Sequence, residues 1–231
     1  MSTHSFIPLI TVDGPGGSGK GTISLLLARE LGWHFLDSGA IYRALALAAL
    51  QKSVKLDDPA ALVALASTLP VVFDEFQVCL AGKDVTQEMR TELCGNAASK
   101  IAVFPGVRTA LLQRQRDFLE PPGLVADGRD MGTVVFPDAP IKLYLEASLA
   151  ERAKRRYIQL KDTEKNVTLD QILREIEERD KRDKNRASAP LSPAKDAVII
   201  DTTGMSISAV FSAVMHIVKQ RLPAHQLNKQ G

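Results

Sequence analysis

Ile10-Thr11-Val12-Asp13-Gly14-Pro15-Gly16-Gly17-Ser18-Gly19-Lys20-Gly21-Thr22 runs directly into Ile23, Leu26, Leu27 and Leu31, which recur at helical spacing. The apolar residues Ile7, Leu9, Ile10 and Val12 read as a buried strand, so the stretch predicts strand, glycine-rich loop and helix in succession. Glycines admit left-handed backbone, which lets several N–H groups turn inward on one anion. The N-terminus of the following helix adds partial positive charge, and Lys20 can reach the outer phosphates. A bare G-x4-G-K pattern occurs by chance; its place between strand and helix is what gives it meaning. The common form of this loop has Ser or Thr directly after the lysine, whereas here Gly21 stands there and the hydroxyl follows at Thr22. The loop therefore predicts a phosphate donor and leaves the acceptor open.

The chain has 231 residues, 45% of them apolar, enough for a full core in one large domain or one domain with an insertion. No stretch approaches the roughly 18 consecutive apolar residues of a membrane helix. The N-terminus also lacks the basic, apolar and small-residue succession of a secretory signal, so the expected location is the cytoplasm, with no membrane partner. Cys79 and Cys94 have no metal-ligand spacing, and a reducing compartment would keep both as thiols. A net charge of +2 is too small to suggest bulk nucleic-acid binding, yet seven of the fifteen arginines fall between Arg152 and Arg186.

Further short apolar runs at Trp33–Leu36, Leu124–Ala126, Ile141–Leu145 and Ala197–Ile200 alternate with helical periodicity. That succession predicts an α/β fold with a mainly parallel sheet and helices on both faces, because parallel strands need crossover helices. Ligands of such sheets sit at the carboxyl ends of the strands, so Asp13, Asp37-Ser38 and Asp127 are expected to gather there. The stretch from Pro59 to Ser99 breaks the pattern. Its β-like runs Val71–Phe73 and Gln77–Leu80, separated by Asp74-Glu75-Phe76, predict a small antiparallel insert, with a turn at Ala81-Gly82-Lys83-Asp84. The polar tail 222–231 is expected to fray.

Four other constellations carry polar chemistry. Asp37 or Ser38 can cap a helix that presents Arg43 one turn later toward a second phosphate, although a cap alone would also explain the pair. Asp127, at the end of the Leu124-Val125 strand, can hold Mg2+ through water, with Arg129 and Asp130 at the cleft mouth; a plain Asp-Gly turn is the competing account. Leu169, Ile172, Leu173 and Ile176 form a helical apolar stripe, after which residues 177–186 contain no apolar side chain, so this helix is expected to leave the core. Arg179, Arg182 and Arg186 share one of its faces with Asp183 nearby, either as a solvated ion-pair helix or as arginines that stabilise a phosphoryl group in transfer. With Arg152, Arg155 and Arg156 upstream, two basic helices bracket Asp162–Asn166 as a lid. Pro105 begins another helix that carries Arg108, near Asn96 and Ser99.

In this order the segments Gly14–Thr22, Asp37–Arg43, Ala126–Pro137 and Glu178–Arg186 resemble the bacterial cytidylate kinase family of P-loop nucleoside monophosphate kinases, and the resemblance spans nearly the whole chain. It implies a P-loop core over about 5–38, 100–148 and 187–222, a monophosphate-binding region with its insert over about 39–99, and a lid over about 150–186. It also implies transfer of the γ-phosphoryl group of ATP to CMP or dCMP with Mg2+. Gly14 to Thr22 would bind ATP; Thr22 and Asp127 would serve the metal. Ser38, Arg43, Ser99, Arg108, Arg129, Asp130, Arg179, Asp183 and Arg186 would bind the acceptor, and Lys20, Arg129, Arg182 and Arg186 would act on the transferred group in a monomer. UMP, AMP or shikimate kinases, a nucleotide-hydrolysing switch and a salt-dependent RNA binder are the alternatives; the last is disfavoured by acids interleaved among the arginines.

Overall fold

The computed structural model describes residues 7–73, 77–161 and 167–223. The chain opens with β1 (Leu9–Asp13), α1 (Lys20–Leu31), β2 (His34–Asp37) and α2 (Ser38–Gln51). There follow α3 (Pro59–Ser67), β3 (Val71–Phe73), β4 (Val78–Leu80), β5 (Lys83–Asp84), α4 (Glu92–Ile101) and α5 (Pro105–Arg116). The remainder is β6 (Leu124–Gly128), β7 (Ile141–Glu146), α6 (Leu149–Leu160), α7 (Leu169–Lys184), β8 (Val198–Asp201) and α8 (Ile207–Arg221).

The five apolar strands form one parallel sheet in the order β2-β6-β1-β7-β8. Side chains along the inner strands β6 and β1 alternate between two cores, as a period of two requires. Leu9, Leu36, Leu124 and Ala126 face α2 to α5, whereas Ile10, Val12, Val125, Ile141 and Leu143 face α1 and α8. The chain leaves β1 toward β2 on one side and leaves β6 toward β7 on the other, so a crevice opens at the carboxyl ends of these neighbours. Register puts Val12 beside Asp127 and Asp13 beside Gly128 there.

The insert contains antiparallel strands as expected, but Lys83 and Asp84 are a third short strand rather than part of the turn, since Cys79 pairs with Asp84 and Leu80 with Lys83. Asp74-Glu75-Phe76, the proposed lid tip Asp162–Asn166 and residues 224–231 of the tail lie outside the described residues. Leu222, at the head of that tail, is buried against the α1 and α8 core. Helices α6 and α7 share a small core of Ala153, Leu160 and Ile172, separate from the two main ones. One expectation holds only in part: one face of the polar half of α7 is exposed, but the other turns back to the protein. Asp183 is 1% exposed, because Ser99 of α4, Arg129 at the β6 end and Arg186 just past α7 surround it with a hydroxyl and two cations, which an apolar periodicity does not register. Among the described residues no helix is long and apolar enough to cross a membrane.

Candidate active site

The loop after β1 depends on backbone that a side chain would obstruct. Gly14 has φ 149°, and a Cβ there would meet the Leu145 carbonyl oxygen at 2.0 Å, so the loop can leave the sheet only as glycine. Gly19, left-handed at φ 89°, precedes α1 and provides no side-chain cap, whereas α2, α4, α6, α7 and α8 carry Asp or Ser/Thr caps. The first N–H groups of α1 are thereby left to an anionic ligand. Arginines from α6 hold the loop from behind: Arg152 donates to Gly16 O at 3.1 Å and Arg155 to Ser18 O at 3.2 Å. Gly16 to Thr22 line a cavity of about 520 Å3, while Gly14 and Pro15 sit behind its wall.

A second cavity of about 230 Å3 adjoins the first. Asp37 caps α2 by accepting from Ala40 N at 3.1 Å, so the cap reading of that acid is correct, and the helix it starts carries Arg43 into both cavities. Lys20, Gly21, Arg129 and Arg179 also line both, forming a common wall. The strand end at β6 supplies Arg129 and Asp130; α4 supplies Ser99, α5 supplies Arg108, and α7 supplies Asp183, with Arg186 just beyond its end. Ser38 is buried in the same wall. Arg182 lines neither cavity; its Nε–H donates to Ser99 Oγ at 3.4 Å and its head lies 4.0 Å from Glu178.

The second cavity is organised around two buried carboxylates. Asp183 accepts from Arg129 Nε at 3.2 Å, from Arg186 and, at 3.4 Å, from Ser99 Oγ. Burial alone would raise its carboxyl, but Arg129, Arg186 and Arg179 together hold it below the ordinary value. Asp130 is 3% exposed and paired with Arg108, whose guanidinium lies 5.6 Å over the Tyr42 ring. The pair sets an acceptor beside a donor on one surface. Arg179 is pushed down to about 9 by burial and then by Arg129, a cost that an anion between these groups would relieve.

Lys20 is pushed down to about 8, by burial and then Arg129, and Asp127 is pushed up to about 6, chiefly by burial. Asp127 Oδ1 is buried without a hydrogen-bond partner among the described residues, and Lys20 Nζ stands 4.0 Å from it. An orphaned carboxylate oxygen beside a phosphate loop suits Mg2+, which takes one or two carboxylates plus substrate phosphates rather than an all-protein cage. No group of three or more His, Cys, Asp or Glu that could hold a metal occurs among the described residues. Asp13, expected at the ligand, lines neither cavity and turns to the backbone of Met131 and Gly132 instead.

Sequence reading missed several contributors. Arg152 and Arg155 stood out as basic but not as supports of the loop, since nothing in their spacing reveals two carbonyl acceptors more than 130 residues away. Tyr42 lay within a motif without a role, and Thr202, which donates to Ser18 O at 2.9 Å, had no signal at all.

Comparison with known proteins places these features in a family. The family model for cytidylate kinase matches residues 10–220. The chain is 58% identical over 219 residues to the cytidylate kinase of Aeromonas hydrophila, covering 93% of this chain and 95% of that one. It is also 56% identical over 221 residues to the cytidylate kinase of Shewanella loihica, with 94% and 96% covered. A glycine loop, two adjoining cavities with a cationic common wall and this match over nearly the whole chain have one outcome: the protein belongs to the cytidylate kinase family.

Proposed function

We propose that this protein transfers the γ-phosphoryl group of ATP to CMP and dCMP, forming CDP and dCDP with release of ADP. The observation that carries the reading is the common wall: Lys20, Gly21, Arg43, Arg129 and Arg179 border both cavities, so phosphates entering from either side meet among cations. The larger cavity takes ATP through the Gly16–Thr22 backbone, and the smaller takes the monophosphate.

In this reading a phosphate oxygen of CMP attacks the γ-phosphorus while the bond to the β-phosphate oxygen breaks, leaving ADP. The acceptor phosphate is already an anion at neutral pH, so no general base is needed. Lys20, Arg129 and Arg186 balance the charge that spreads over the equatorial oxygens. Arg43 and Arg179 grip the acceptor phosphate, and Asp183 with Ser99 takes the sugar hydroxyls. Arg182 steadies Ser99 through its hydrogen bond rather than reaching the transferred group. Thr22 and Asp127 would hold Mg2+, which would supply charge neutralisation to the donor phosphates when bound.

Base choice falls to Asp130, Arg108 and Ser38. Cytosine presents an N4 amino donor next to the N3 acceptor, complementary to a carboxylate beside a guanidinium. Uracil reverses both and would face acceptor with acceptor and donor with donor. The two-part lid of α6 and α7, with its own small core, is read as the element that excludes water over the donor. Two free cysteines suit a reducing cytoplasm.

A panel of nucleoside monophosphates offered with ATP and Mg2+, scored by diphosphate formation, tests the reading. CDP and dCDP should dominate. Equal rates with UMP or AMP would overturn the base assignment, and ADP release that does not depend on CMP would point to a hydrolytic switch.

A further inference from the structure

Asp13 is a buried acid with no part in the chemistry just described. It closes β1, is 4% exposed and borders neither cavity. Its two carboxylate oxygens take two consecutive backbone N–H groups across the sheet: Oδ1 accepts from Met131 N at 2.8 Å and Oδ2 from Gly132 N at 2.8 Å. Met131–Val135 is a wide turn whose hydrogen bonds begin at the Asp130 carbonyl, which accepts from Val134 N at 2.9 Å and Val135 N at 3.1 Å. The first N–H groups of such a turn have no partner inside it. Asp13 provides that partner and does so in a bidentate manner.

The backbone between this clamp and the end of β6 is short. Asp13 pairs in register with Gly128, so Arg129 and Asp130 are the two residues that bridge from the sheet to the clamped N–H groups. Arg129 lines both cavities, and Asp130 lines the smaller one beside Arg108. Gly132 lies so close to β1 that a Cβ would come 2.9 Å from Thr11 Oγ1, leaving the loop little room to settle elsewhere. A buried carboxylate is costly unless hydrogen bonds satisfy it. Burial pushes this one up to about 7 even with both N–H groups opposing the shift. Asparagine has the same shape but one acceptor, and its NH2 would meet an N–H donor.

We infer that Asp13 is a positioning residue for the acceptor site, one that sets the aim of Arg129 and Asp130 through the Met131–Gly132 backbone without touching either nucleotide. The inference rests on the proposed assignment of those two residues to the monophosphate. Its signature is asymmetric, because the clamp controls the acceptor wall while the Gly16–Thr22 cradle is held independently by Arg152 and Arg155.

The test is Asp13→Asn in the full chain, with KM measured separately for CMP and ATP and kcat/KM compared for CMP and UMP. KM for CMP should rise about tenfold or more, the effect expected of a lost charge-assisted hydrogen bond. KM for ATP should stay within about twofold, and the preference for CMP over UMP should fall. Equal increases in both KM values, or no change in either, would overturn the role. Gly132→Ala, which presses the same loop off β1 and leaves the carboxylate intact, should reproduce the split; an unchanged KM for CMP counts against it. Hydrogen exchange on the unaltered protein needs no variant. Met131 and Gly132 amides should exchange as slowly as those of β1, and exchange at the rate of exposed loop amides would refute the clamp. A wild-type protein that does not use CMP would defeat the functional reading alone, since slow exchange at these amides would still stand.

Discussion

Asp130→Asn separates base recognition from everything else in the acceptor pocket. The carboxylate is 3% exposed and bonded to Arg108, which is itself held over Tyr42. The substitution keeps the shape but removes the charge and replaces one acceptor oxygen with an NH2 group. Two penalties follow. Arg108 loses its buried partner, a cost paid with either pyrimidine and therefore cancelled in a ratio. The second depends on the base: the cytosine N4 amino group loses a charge-assisted bond of about 1.5–3 kcal/mol. At 1.4 kcal/mol per factor of ten, that is roughly a 10- to 150-fold drop in kcat/KM for CMP beyond the common loss. Uracil instead gains a donor opposite its O4. Steady-state kcat/KM for CMP and UMP at saturating ATP, followed by ADP release, should show the CMP:UMP ratio falling by at least about tenfold. Proportionate losses on both substrates would refute the placement of Asp130 at the base edge.

Asp183→Asn should destabilise the fold by about 3 kcal/mol, because it leaves Arg129 and Arg186 buried without their shared anion. The wild-type carboxyl is held below its ordinary value, so its contribution is present above about pH 3.9 and is lost as pH falls through the lowered folded value. Urea melts of both proteins should therefore diverge at pH 7 and converge in acid; a constant gap would count against the ionic origin. Gly14→Ala forces a Cβ to 2.0 Å from Leu145 O at a left-handed φ, for an expected loss of about 2–4 kcal/mol, or roughly 5–15 °C in Tm. Gly82→Ala, at φ 80° with nothing within 4 Å, should lose only about 1 kcal/mol, and similar Tm values for the two would refute the packing argument. Asp127→Asn should raise the Mg2+ concentration for half-maximal rate by about tenfold or more at saturating ATP; an unshifted Mg2+ titration would remove Asp127 from the metal site.

The central strands were legible because a parallel strand buried on both faces must be apolar on both, and each of the five runs read from sequence lies within a residue or two of its observed bounds. The Asp37 cap and the Pro105 helix start were similarly local, since each depends on residues within one helical turn. Lys83–Asp84 was not legible as a strand, because a two-residue edge is defined by its neighbour at Cys79 and Leu80. The fate of residues 177–186 was hidden for a related reason. A run without apolar side chains reads as solvated, and only Ser99 of α4, Arg129 at the β6 end and Arg186 make the burial of its Asp183 tolerable.

The amino-acid sequence by itself determined that phosphate would be held between a strand and a helix, because the glycines, the lysine and the flanking periodicities are all local constraints on one short stretch. It also supplied, through its resemblance to a family, the residues expected at the acceptor. Only the tertiary structure decided which of them share a wall, that Arg182 bonds to Ser99 and lines neither cavity, and that Asp13 accepts from the Met131 and Gly132 backbone and lines neither cavity. Those outcomes depend on where a charged side chain finds its partner, and a partner a hundred residues away leaves no mark in spacing or periodicity.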